Sequence, residues 1–106
     1  MRTILTVLIL AGLSATLSLA ADAQAGKAVY DRSCKGCHGP DGAGNAAVAK
    51  MMKVEMKDLK SSDVQAMSDD DIKKVVMDGK GKMKPISSVT GANLDNVAAY
   101  VKSLKK

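Results

Sequence analysis

Cys34-Lys35-Gly36-Cys37-His38 constrains this 106-residue chain more than any other stretch. Two thiols separated by two residues and followed at once by histidine form the C-x-x-C-H signature of covalent c-type haem attachment. Each thiol adds to one haem vinyl group, and the short arc between them sets the next side chain beneath the iron. His38 is thereby expected as the proximal axial ligand, a role imidazole commonly fills. Other readings fail on ligand count or context. Structural zinc usually takes four Cys or His ligands, and the chain holds only Cys34, Cys37 and His38. A thioredoxin-like redox pair would want a βαβ setting, and no convincing strand is readable here. A plain Cys34–Cys37 disulfide leaves His38 unexplained.

Residues 1–23 read as a signal peptide rather than as part of the fold. Met1-Arg2 is a short basic start, Ile4 to Leu19 is an apolar run, and Ala21-Asp22-Ala23 fits the A-x-A cleavage pattern. Cleavage is expected after Ala23, with Ser18-Leu19-Ala20 and Ala23-Gln24-Ala25 as further sites. Left uncleaved, the stretch approaches spanning length and would anchor the chain in a membrane. No cysteine precedes Cys34, which excludes a lipid-anchored N-terminus. An exported cysteine pair would ordinarily be a disulfide, yet the adjacent histidine points to thioether linkage. Haem attachment of this kind takes place outside the bacterial inner membrane, so the motif and the leader agree on the periplasm.

The remaining 83 residues, 24–106, suffice for one small domain. They include no Phe and no Trp, so their own side chains build a thin core that needs reinforcement. A covalently held porphyrin supplies the missing apolar mass, and the haem-free chain is expected to be largely unfolded. With Arg2 and Asp22 removed, 15 basic and 10 acidic residues leave a net charge of +5. The lysines are spread along the chain and an exported protein seldom meets nucleic acid. A cationic docking face for an acidic redox partner is therefore weighed against ordinary solvated lysine.

Four helical segments and no convincing strand can be read. The first spans residues 24–33, with Gly26, Tyr30 and Cys34 four apart on one face. The turn-rich Gly39-Pro40-Asp41-Gly42-Ala43-Gly44 follows the motif. A short helix is expected over 46–52, whereas 53–62 lacks periodicity. Ser68 suits the N-cap of the next helix, three aspartates favour its positive end, Met67 staples onto Ile72, and Gly79 ends it. The last helix is expected to be capped by Asn93. Its apolar stripe is Leu94, Val97, Ala98, Val101 and Leu104, with Lys102, Lys105 and Lys106 at its C-terminal end.

A second axial ligand cannot be histidine, because His38 is the only one. Among the methionines beyond the leader, Met67 belongs to the staple, Met77 to a helix face, and Met51 and Met52 to pliable core filling. Met83 is held between Gly81 and Pro85 in an irregular loop, far along the chain from His38, and is the expected ligand. Met56, in the aperiodic segment, is its competitor.

Cys34, Cys37, His38 and Met83 in this order resemble the small class I cytochromes c of bacteria, over essentially the whole chain beyond the leader. Gly26-Lys27-Ala28-Val29-Tyr30 is similar to that family's N-terminal helix, and Tyr100-Val101-Lys102-Ser103-Leu104 to part of its C-terminal helix. The resemblance implies an all-α fold of about four short helices around one haem c and its iron. The terminal helices would cross where Gly26 and Tyr30 meet Tyr100. Lys84 stands between Met83 and Pro85, where many members place proline directly after methionine. Gly44-Asn45-Ala46 replaces a Gly-Pro whose carbonyl orients the histidine in many members.

The expected function is a periplasmic mono-haem electron carrier with His38/Met83 ligation, not an enzyme. Its partners would be redox proteins met by brief, salt-sensitive docking, with Lys35, Lys80, Lys82 and Lys84 near the haem segments. No nucleic acid, no stable membrane insertion after cleavage and a monomer are expected. The alternative is an open-site haem protein, peroxidase-like or gas-binding, which requires that Met83 not bind.

Overall fold

A computed structural model describes residues 21–104. The expected leader lies outside the described residues except for its last three. Six helices follow in order: α1 (Ala23–Ser33), α2 (Lys35–His38), α3 (Ala46–Met52), α4 (Ser62–Gln65), α5 (Asp69–Asp78) and α6 (Ala92–Ser103). The all-α expectation is borne out. Among the described residues the only bridge of the β type is the isolated pair Lys80–Met83. No helix among them is long and apolar enough to cross a membrane.

The crossing of α1 and α6 organises the core. Asp22 caps α1 by accepting hydrogen bonds from the Gln24 and Ala25 amides, and its own N–H donates to Asn96 Oδ1 on α6. Cleavage after Ala23 would remove that cap, whereas cleavage after Ala20 keeps it. Gly26 lets the two backbones touch: a Cβ there would lie 1.9 Å from the Asn96 carbonyl oxygen. One turn further on, Tyr30 is fully buried with its ring 5.1 Å from that of Tyr100, tilted by 56°. Val29, Val76, Val89, Leu94 and Val97 complete this cluster. A second cluster joins Val64, Ile72, Ala98 and Val101, with Met67 partly buried against it.

α5 begins and ends as its sequence predicts, with Ser68 Oγ accepting from the Asp71 amide and Gly79 at φ +78°. α6 does not begin at Asn93. Gly91 is its N-cap, at φ +57°, and its carbonyl already accepts from the Leu94 and Asp95 amides. Glycine takes this backbone conformation freely, so the helix starts earlier and Asn93 falls in its first turn. α2 and α4 are one-turn helices without an apolar period to betray them. Met51, read as core filler, is 75% exposed, because α3 buries none of its residues. Met77 is likewise 51% exposed.

Irregular backbone between α3 and α5 is held by side chains. Gln65 Nε2 donates to the Leu59 and Val101 carbonyls, and Lys102 Nζ donates to those of Gln65 and Met67. This ties the loop to α6.

Candidate cofactor site

The motif is gripped by backbone on both sides. Cys34 closes α1 by donating its N–H to the Tyr30 carbonyl, and it also opens α2. The chain then reverses, so that Gly44 N–H donates to the His38 carbonyl at 2.7 Å and Asn45 N–H to that of Cys37 at 2.8 Å. Asn45 Nδ2 adds a bond to the Gly36 carbonyl. Tyr30 Oη donates to the Gly39 carbonyl at 2.5 Å, fixing the turn directly after the histidine. The attachment residues are therefore displayed by a braced loop.

Both cysteines are free. Cys34 packs partly buried against the core, and Cys37 is exposed. Burial, with Cys37 adding to it, pushes the Cys34 thiol up to about 11. Such a thiol is protonated at neutral pH, unlike the low-pKa thiolate of a redox pair. Burial lowers the His38 pKa, which favours the neutral ring that can offer a lone pair to a metal. Its Nδ1 is buried and has no hydrogen-bond partner among the described residues. Gly44-Asn45-Ala46 thus supplies no orienting carbonyl, in keeping with the missing Gly-Pro. Among the described residues no group of three or more His, Cys, Asp and Glu could hold a metal ion. One buried imidazole beside two free thiols fits a covalently held haem.

The two candidate methionines lie in different surroundings. Met56 packs on the histidine's own loop: a Cβ on Gly44 would lie 2.9 Å from Met56 Cβ. Met83 sits half-buried at the end of a tight turn closed by reciprocal hydrogen bonds with Lys80, at 2.9 and 3.0 Å. The chain then doubles back so closely that a Cβ on Gly79 would meet the Met83 carbonyl oxygen at 2.6 Å. Lys82 Nζ donates to the Met52 carbonyl at 2.6 Å. Sequence reasoning missed this bond and the bracing by Asn45. An asparagine directly before an alanine-rich helical run is a readable cap signal; the Lys82 contact has no local signal at all.

The model of a protein family described as cytochrome c oxidase, cbb3-type, subunit III matches residues 21–101. Cytochrome c-554(547) of Halothiobacillus neapolitanus is 32% identical over 94 residues, which cover 81% of this chain and 100% of the relative. Among solved structures, the KustC0563 c-type cytochrome aligns with a TM-score of 0.64 at 24% identity, covering 76% of this chain and 98% of its own.

Proposed function

We propose that this chain, which belongs to the small class I cytochromes c, is a soluble periplasmic one-electron carrier with a single haem. In this reading Cys34 and Cys37 form the thioethers, and His38 and Met83 are the axial ligands. Membership in the family brings with it covalently bound haem c and its iron, and electron carriage between redox proteins. When bound, the haem supplies the ferrous–ferric couple. The chain's residues hold and tune it. Cys34 and Cys37 would hold the haem covalently through their sulfurs. A methionine sulfur opposite histidine raises the potential relative to more strongly donating ligands.

The observation that carries the choice of Met83 is the seat of Met56 against Gly44, the residue hydrogen-bonded to His38. Met83 is instead presented by a separate turn, closed by Lys80, and would hold the iron together with His38. The ferric absorption spectrum tests this through the weak charge-transfer band of methionine-bound haem. The band should be present in the native protein, lost in Met83→Ala and kept in Met56→Ala. The reverse pattern would make Met56 the ligand, and absence of the band in the native protein would favour the open-site alternative.

For docking, Lys35, Lys80 and Lys84 are exposed and form no ion pair with another described residue. They suit an acidic redox partner met in brief encounters, as a monomer. Export with removal of the leader belongs to this reading, and of the candidate sites cleavage after Ala20 keeps the Asp22 cap.

A further inference from the structure

We propose that Lys82 is a positioning residue for Met83: its ammonium clips the methionine turn onto the C-terminal end of α3. This rests on Met83 ligation as proposed above.

α3 buries none of its residues, so packing in the core does not hold it. Its ends do. At the N-terminal end Asn45 accepts from the Ala47 and Val48 amides while donating to the carbonyls of Gly36 and Cys37. That end is fastened to the haem-attachment motif itself. At the other end Lys53 adopts a left-handed conformation, φ +54°, and turns the chain away. The Met52 carbonyl accepts from Lys82 Nζ at 2.6 Å. The last carbonyls of a helix lack intrahelical partners and carry its negative pole, so an ammonium is well matched there. α3 is therefore a strut about 10 Å long, at 1.5 Å per residue. It runs from the loop of His38 to the turn of Met83.

Lys82 is the residue immediately before Met83 in the turn closed by Lys80 and Met83. Downstream, the Ile86 amide donates to the Val76 carbonyl and holds the returning chain to α5. Releasing Lys82 frees the tip of the turn and leaves its base anchored. Lys84, on the other side of Met83, makes no hydrogen bond or ion pair with a described residue and serves as the charge-matched control.

The test uses ferric holoprotein and imidazole, at a pH well above the probe's own pKa so that it is uncharged; its binding waits on departure of the methionine. Lys82→Ala should bind imidazole about fivefold faster than wild type, the factor that one exposed charge-assisted hydrogen bond is worth. Its charge-transfer band should also fade at a lower temperature, ahead of any loss of helical signal. Lys84→Ala should match wild type, and Lys82→Arg, which keeps a charged donor, should lie within about twofold of it. A Lys82→Ala rate equal to that of Lys84→Ala overturns the clip. Failure of the ligation itself looks different: wild type lacks the band, and every variant binds imidazole equally fast.

Discussion

Replacing Gly26 by alanine tests the helix crossing on which the fold depends, because the expected sign of the effect reverses with the packing. In a helix that touched nothing, alanine would stabilise by about 1 kcal/mol over glycine. Here the added methyl would sit 1.9 Å from the Asn96 carbonyl oxygen, 2.5 Å from its carbon and 2.9 Å from Tyr100 Cβ. A relaxed carbon–oxygen contact is about 3.3 Å, so α1 and α6 must part by more than about 1 Å. The obstacle is backbone and cannot swing aside. Overpacking of this kind costs roughly 1–3 kcal/mol. Parting the helices also weakens the Tyr30–Tyr100 ring contact, worth about 0.5–1.5 kcal/mol. Set against the propensity gain, the net loss should be about 2 kcal/mol, a large share of the 5–15 kcal/mol usual for a domain. Guanidinium unfolding of the ferric holoprotein measures it, read from the midpoint at unchanged slope. Gly36→Ala is the matched control, since nothing lies within 4 Å of a Cβ there; it should be neutral or slightly stabilising. A Gly26→Ala protein as stable as wild type would refute the close crossing.

Tyr30→Phe removes the donor to the Gly39 carbonyl and should cost about 1–3 kcal/mol by leaving that buried oxygen unpaired. Burial holds the Tyr30 hydroxyl up to about 12, above its ordinary value of 10.0. Its stabilising effect is thus complete below pH 10 and is lost as pH rises toward 12. Unfolding midpoints of wild type and Tyr30→Phe should converge over that window, and parallel curves would sink the assignment. Asp22→Ala should destabilise by about 1 kcal/mol through loss of the α1 cap. Mass measurement of the processed chain should place its first residue at Ala21. A first residue at Gln24 would show that the cap is dispensable.

Legibility followed whether the determining contacts were local. α5 could be read to the residue, since Ser68, three aspartates and Gly79 punctuate it within the span they control. The α1–α6 crossing was legible only through the resemblance, because nothing local links Gly26 to Asn96. α4 and the loop before it depend on Gln65 and Lys102, which bond to carbonyls up to 37 residues away. Periodicity carries no trace of such bonds. The same holds for Lys82: the spacing of lysines marks it as a surface charge, and only the fold brings it to Met52. At the site, the attachment motif was plain in the sequence and Met83 was already preferred there, whereas the seat of Met56 against Gly44 belongs to the three-dimensional neighbourhood.

The join between Asp22 and Asn96 spans 74 residues of chain, and its consequence is one of timing. A polypeptide that crosses a membrane N-terminus first presents Cys34 and Cys37 long before α6 arrives. Until then α1, at 11 residues, is too short to persist as an isolated helix, and Tyr30 has no Tyr100 to lie against. On the proposed export the two thiols would cross that interval on a slack segment. Arrival of α6 ends it by locking Tyr30 and the partly buried Cys34 into the core. On the proposed export the last helix therefore acts as a clock: its arrival sets how long the two thiols stay outside the finished core.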